Sequence, residues 1–148
     1  MSLTQRITED MKQAMRDKAP ARLSTIRLLL AAIKQREIDE RIQLDDTQVL
    51  TVIEKLVKQR RESIVQFEKG ARPDLVAQEQ AELALLLAYL PAQMSEAEIA
   101  PLVAAALAQT GAQGPADMGR VMALLKPQLA GRADMGKVSA LVKSKLSN

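Results

Sequence analysis

Residues 114–126 read GPADMGRVMALLK and residues 131–143 read GRADMGKVSALVK, so one phrase occurs twice, seventeen residues apart, with nine of thirteen positions identical. The first seven residues of the second copy satisfy the spacing G-x-x-x-x-G-K of a phosphate-cradling loop. That loop joins a strand to a helix and needs Ser or Thr directly after the Lys to hold magnesium. Here no strand precedes Gly131, Val138 follows Lys137, and Ser139 comes one place too late. Asp134 would also put a negative charge where phosphates sit, whereas an Asp ahead of an apolar run is a good helix N-cap. The two phrases are therefore read as tandem short helices capped by Asp117 and Asp134 and separated by Pro127 and Gly131.

The rest of the chain has the same helical character. Leu3, Ile7, Met11, Ala14 and Met15 gather on one stripe of a helix over residues 3–18, which Pro20 stops. From Arg22 to about Arg41, Leu23, Ile26, Leu30 and Ile33 form a stripe that Leu28 and Leu29 widen, the pattern of a central helix. Asp46 is the expected N-cap of a third helix, with Val49, Val52, Ile53, Leu56, Ile64 and Phe67 facing inward and Gly70 as its stop. A fourth runs from Asp74 with Leu75, Leu83, Leu86 and Leu90, and ends at Pro91. In MSEAEI (94–99), Ser95 and Glu98 have capping-box spacing, and Met94 and Ile99 have that of a hydrophobic staple. A new helix starts there, either kinked at Pro101 or beginning only at Ala100. The reading is an all-α chain: an N-terminal helical bundle over residues 1–92, then a small C-terminal helical domain over 93–148 with the tandem helix repeat.

Composition agrees and limits the chemistry. Of the 148 residues, 47% are apolar but only 1% aromatic, a palette for helix bundles rather than sheets. With no Cys and no His, the chain lacks thiolates and imidazoles, the usual nucleophiles, bases and metal ligands near neutral pH. The seven serines have no histidine partner and no G-x-S-x-G elbow. Acidic pairs (Asp45 with Asp46, Glu79 with Glu82, Glu96 with Glu98) fall at helix starts or on faces read as solvated. No catalytic residue, metal site or cofactor is expected. The start, MSLTQRITEDMK, has no continuous apolar core of a secretory signal, and a cytoplasmic location is the expectation. The longest apolar stretch, LALLLAYL at 83–90, is far short of the roughly 20 residues of a membrane span.

Charge is unevenly placed. Residues 1–92 carry fifteen Lys and Arg against fourteen Asp and Glu, a net of +1, while residues 115–148 carry six against two, a net of +4. In the twin helices Arg120 and Lys126 match Lys137 and Lys143, each pair about 9 Å apart along its axis. The second pair brackets an arc holding Ala140 and Ser144, a smooth basic strip suited to a phosphate backbone. Arg132 lies in the loop between the twins. The competing view is that Lys143 and Lys145 merely complement a helix C-terminus. A second cluster, KLVKQRRES at 55–63, is diluted by acids and reads as a solvated face. The aromatic residues Phe67 and Tyr89 lie on apolar stripes, so stacking on single-stranded bases is not served. Any RNA ligand is a folded one, met through shape and phosphates.

RLSTIRLLLAAIK (22–34), KQRRESIVQFEK (58–69), YLPAQMSEAEI (89–99) and the tandem block 117–143 together resemble the YqeY-like family of small bacterial proteins, over nearly the whole chain. The resemblance implies an all-helical protein related to the tail domain of the B subunit of glutamine-dependent tRNA amidotransferase, a carbon-nitrogen ligase with glutamine as amido donor. In that enzyme the tail leans on the tRNA body and the chemistry lies in other domains. GRADMGKVSALVKSKL is the part most similar to the tail's final helix. The resemblance implies a tRNA-linked role, and the reading is a noncatalytic tRNA-binding or amidotransferase-associated module, with the basic residues Arg120, Lys126, Arg132, Lys137 and Lys143 as the expected contacts to folded tRNA. Its partners would be the amidotransferase or an aminoacyl-tRNA synthetase, with no DNA and no membrane. The alternative is a helical protein-interaction adaptor whose basic face meets an acidic partner and has no RNA role.

Overall fold

The apolar stripes fold as helices. A computed structural model describes residues 1–147, and among these every regular element is helical: α1 (Leu3–Arg16), α2 (Pro20–Glu40), α3 (Asp46–Lys69), α4 (Pro73–Leu87), α5 (Glu96–Thr110), a 3₁₀ turn at Pro115–Asp117, α6 (Met118–Leu129) and α7 (Met135–Leu146). The chain is all-α and divides into two units, Met1–Leu90 and Pro91–Asn148.

In the first unit, α1 opens on a capping box in which Ser2 Oγ accepts from the Gln5 amide and Gln5 Oε1 accepts from the Ser2 amide. It ends at Arg16 rather than running to residue 18. Pro20 is the first residue of α2, where its missing N–H costs nothing. The cap of α3 is Asp45, not Asp46, because Gln48 lies three residues after Asp45 and closes the box with it. The Asp46 carboxylate accepts the Leu3 amide at 2.9 Å instead, fastening the start of α1 to the start of α3.

Helices α2 and α3 each pack on the other three helices of this unit. Ile7, Ile26, Leu29, Ile33, Val49, Ile53 and Leu86 are almost fully buried between them. The stripe of α2 is narrower than its sequence suggests. Leu28 lies about 200° round the helix from Ile26 and is exposed, and Met15 at the end of α1 is half-exposed.

In the second unit the Ser95–Glu98 capping box forms as expected, with Met94 and Ile99 against the core. Helix α5 starts at Glu96 and runs through Pro101, and Gly111 ends it with φ of 63°. Helix α6 likewise continues through Pro127 to Leu129. The tandem phrase appears directly in the packing: Val121, Leu125 and Leu129 of α6 and Val138, Val142 and Leu146 of α7, each seventeen residues from its twin, are all buried in one core with Val103 and Ala106 of α5. Gly131, buried with φ of 74°, makes the turn between the twins. Residues 92–94 are pinned to that turn. Arg132 Nε donates to the Ala92 carbonyl at 3.2 Å, Gln93 Nε2 to the Gly131 carbonyl at 2.7 Å, and the Met94 amide to the Arg132 carbonyl at 2.8 Å.

Candidate nucleic-acid interface

Burying the Val–Leu–Leu and Val–Val–Leu stripes fixes which side of α6 and α7 meets water. At 100° per residue, the arc from Arg120 to Lys126 holds Gly119, Ala123 and Pro127, and the twin arc from Lys137 to Lys143 holds Gly136, Ala140 and Ser144. All ten of these residues are exposed. Each twin helix thus carries two cations flanking a surface of small side chains. A Cβ at Gly119 would meet nothing within 4 Å, so the packing does not demand glycine there. At Gly136 a Cβ would come within 3.1 Å of the capping Asp134 carboxylate.

The two Asp residues of the repeat behave differently. Asp134 caps α7 as expected, accepting the Gly136 amide at 2.8 Å. Asp117 does not cap α6. It lies in the 3₁₀ turn, and its carboxylate reaches back to the amides of Gln113 (3.0 Å) and Gly114 (3.4 Å) while pairing with Arg120 Nη2. These contacts, the Gln113 amide first and the Arg120 guanidinium next, hold its carboxyl below the ordinary carboxylate range. The difference follows from the loop before each helix: GAQGP folds the chain back over Asp117, whereas Gly131 and Arg132 leave Asp134 in extended geometry.

Of the five basic positions read from the sequence, two have partners within the unit. Arg120 pairs with Asp117 yet remains exposed, and Arg132 is a half-buried staple on Ala92. Lys126, Lys137 and Lys143 are exposed and lie within 4.0 Å of no carboxylate among the described residues. Three of the unit's acids, Glu98, Asp117 and Asp134, are used locally. Glu98 serves the Ser95 box, which holds its carboxyl below its ordinary value, and Asp134 serves the α7 cap.

Two clusters in the first unit were missed by the sequence reading. Arg60, placed there in a solvated cluster, is only 15% exposed, and its Nε lies 2.9 Å from Glu82 Oε2 and 3.5 Å from Glu79 Oε2. The two acids, read as a solvated pair, are 17% and 24% exposed and join α4 to α3. Burial first, then the Glu82 charge, raise the Glu79 carboxyl above its ordinary value, against the opposing field of Arg60. The signal was present: Arg60 lies four residues from both Leu56 and Ile64, inside the apolar stripe, and Glu79 and Glu82 lie in register with Leu75 and Leu86. The other cluster is Tyr89 with Asp10. The phenol donates to Asp10 Oδ2 at 2.6 Å, and the Arg6 guanidinium lies 5.1 Å from the ring centre. Burial, that hydrogen bond and the Asp10 charge raise the Tyr89 phenol above its ordinary value, so it stays a donor at neutral pH. Among the described residues no group of three acids converges as it would around a metal ion, and no helix is long and apolar enough to cross a membrane.

Comparison with known proteins places these features in a family. The family model described as Yqey-like protein matches residues 4–146. Among curated relatives, the chain is 47% identical over 87 residues to "Altered inheritance of mitochondria protein 41, mitochondrial" of Eremothecium gossypii, covering 58% of this chain and 48% of that protein. The protein of the same name from Lachancea thermotolerans is 41% identical over 97 residues (63% and 51%), and that from Pyrenophora tritici-repentis is 35% identical over 127 residues (82% and 70%). The chain spans about half the length of the first two. The expectation of a cytoplasmic location is corrected by these relatives, which are named as mitochondrial proteins and point to the mitochondrion instead. The opening residues were read only against a secretory signal, a test that says nothing of mitochondrial proteins. With the match covering almost every residue of both helical units, the chain belongs to the YqeY-like family.

Proposed function

We propose that the unit Pro91–Asn148 is a noncatalytic module that binds folded tRNA through the basic arcs of α6 and α7. The observation that carries this reading is the repeated surface: Arg120 with Lys126 and Lys137 with Lys143 each flank exposed small residues, and three of these four cations make no ion pair among the described residues. Cations left unpaired by their own protein are free to displace counterions from a phosphate backbone. The low side chains between them let that backbone approach the helix. Association with a tRNA amidotransferase or an aminoacyl-tRNA synthetase would follow from the same tRNA.

The adaptor reading needs the same cations but a protein ligand. Competition separates the two. With the full chain bound to labelled tRNA, unlabelled tRNA should displace the label at far lower phosphate-equivalent concentration than polyglutamate does. Equal displacement by polyglutamate would mean that the surface recognises negative charge alone, and the adaptor reading would replace this one.

A further inference from the structure

Within the first unit, α1, α2 and the end of α4 with the chain just after it line an open cavity of about 300 Å³, small for a ligand pocket. Ile26 and Leu85 contribute an apolar wall, while Arg6, Asp10, Arg22 and Tyr89 supply the polar groups. We propose that this cavity binds a phosphate group between the guanidinium groups of Arg6 and Arg22.

Three observations lead there. Two cations line the cavity against one carboxylate, and that carboxylate already accepts the Tyr89 hydroxyl at 2.6 Å. Both arginines keep N–H donors open to a ligand, and the cavity lining keeps a net positive charge beside Asp10. Arg6 makes no ion pair among the described residues and rests on the Tyr89 ring, a contact that orients its plane without using its N–H donors. Among the described residues Arg22 pairs with Asp17 alone, at 3.9 Å, the outer limit of an ion pair, with both side chains more than a third exposed. Two planar forks approaching from different helices can bind different oxygen pairs of a tetrahedral oxyanion, whereas a planar carboxylate offers them one shared pair. The apolar wall strengthens such bonds by excluding water on one side. The Tyr89–Asp10 bond holds the chain after α4 against α1, and so keeps the cavity in shape.

The chain carries its own reporter. It has one Tyr and no Trp, so tyrosine emission comes from Tyr89 alone, in the wall of the cavity. The full chain is titrated with inorganic phosphate at fixed ionic strength, with chloride and acetate as comparison anions and calorimetry in parallel. A saturable change with phosphate, weaker with acetate and absent with chloride, is expected. Arg6→Gln and Arg22→Gln should each weaken phosphate binding about tenfold or more, the usual loss for a hydrogen bond to a charged group. The Lys137→Glu/Lys143→Glu variant should bind phosphate as the parent does, which keeps this test separate from the tRNA reading. The proposal is overturned by a phosphate response that chloride reproduces, by tighter binding of acetate, by a folded Arg22→Gln variant with parental affinity, or by loss of binding in the α7 double variant. Should the arginine variants lose helicity, the anion comparison on the parent decides alone.

Discussion

Replacing Arg60 with Met would leave Glu79 and Glu82, neighbours on the side of α4 that meets α3, without the cation they both pair with. Removing one partner of a fully buried ion pair costs about 3–5 kcal/mol, because the remaining charge is stranded. Here the three side chains keep 15–24% of their exposure, so water screens part of that, and the expected loss near neutral pH is about 2 kcal/mol. Met keeps the length and apolar bulk of the stem, which isolates the charge effect. The loss should depend on pH with a definite sign. Glu79 already has a raised carboxyl pKa in the folded parent, so the folded state holds this proton more tightly than the unfolded chain. Stability from this group therefore rises as pH falls from neutrality toward the ordinary glutamate range. Without Arg60 the rise steepens, since the field that lowered the Glu79 pKa is gone. Urea unfolding followed by Tyr89 emission, which reports the first unit, should give a Met-for-Arg cost near pH 5 clearly below that at neutrality. A cost under about 0.5 kcal/mol near neutral pH, or an equal cost at both values, would refute the account of this cluster.

Other outcomes follow from single residues. Asp134→Ala removes the α7 cap and should lower stability by about 1 kcal/mol by thermal or urea unfolding, with little change in tRNA affinity. Leu125→Ala, at a fully buried position in the smaller core, should cost about 3 kcal/mol, detected as loss of helical circular dichroism at lower urea. Gly119→Ala should stabilise by about 0.5 kcal/mol, since its Cβ meets open space, yet weaken tRNA binding if the backbone must approach closely. The purified chain should neither hydrolyse ATP nor release ammonia from glutamine, as judged by phosphate and ammonia release through successive purification steps.

The helices were legible because a 3.6-residue period leaves its mark wherever one face is buried: the tandem phrase gave both twin helices, and the Ser95–Glu98 spacing gave the start of α5. What a sequence does not carry is the helix opposite. Arg60 looked solvated because its neighbours along the chain are charged, while its true environment is two carboxylates of α4. Asp117 and Asp134 stand in nearly identical phrases, and only the loops before them decide that one closes backward and the other caps forward. The same limit applies to the basic surface. The identity of its residues was plain, but the pairing of Arg120 with Asp117 and the use of Arg132 as a loop staple depend on backbone geometry.

The central claim is that unpaired cations on α6 and α7 meet a folded tRNA through its phosphates. Binding of full-length parent and Lys137→Glu/Lys143→Glu chains to purified tRNA, measured across a range of salt concentrations, tests it most directly. The buried stripe of Val138, Val142 and Leu146 is untouched by the change, so the helix should persist by circular dichroism. With Lys126, Lys137 and Lys143 free and Arg120 exposed beside Asp117, three to four phosphate contacts give a log-log salt slope of about −2 to −3.5 for the parent. The double variant should lose at least tenfold in affinity, and its slope should become shallower by about 1.5 to 2. A double variant that holds tRNA as well as the parent, with the same slope, would contradict the claim.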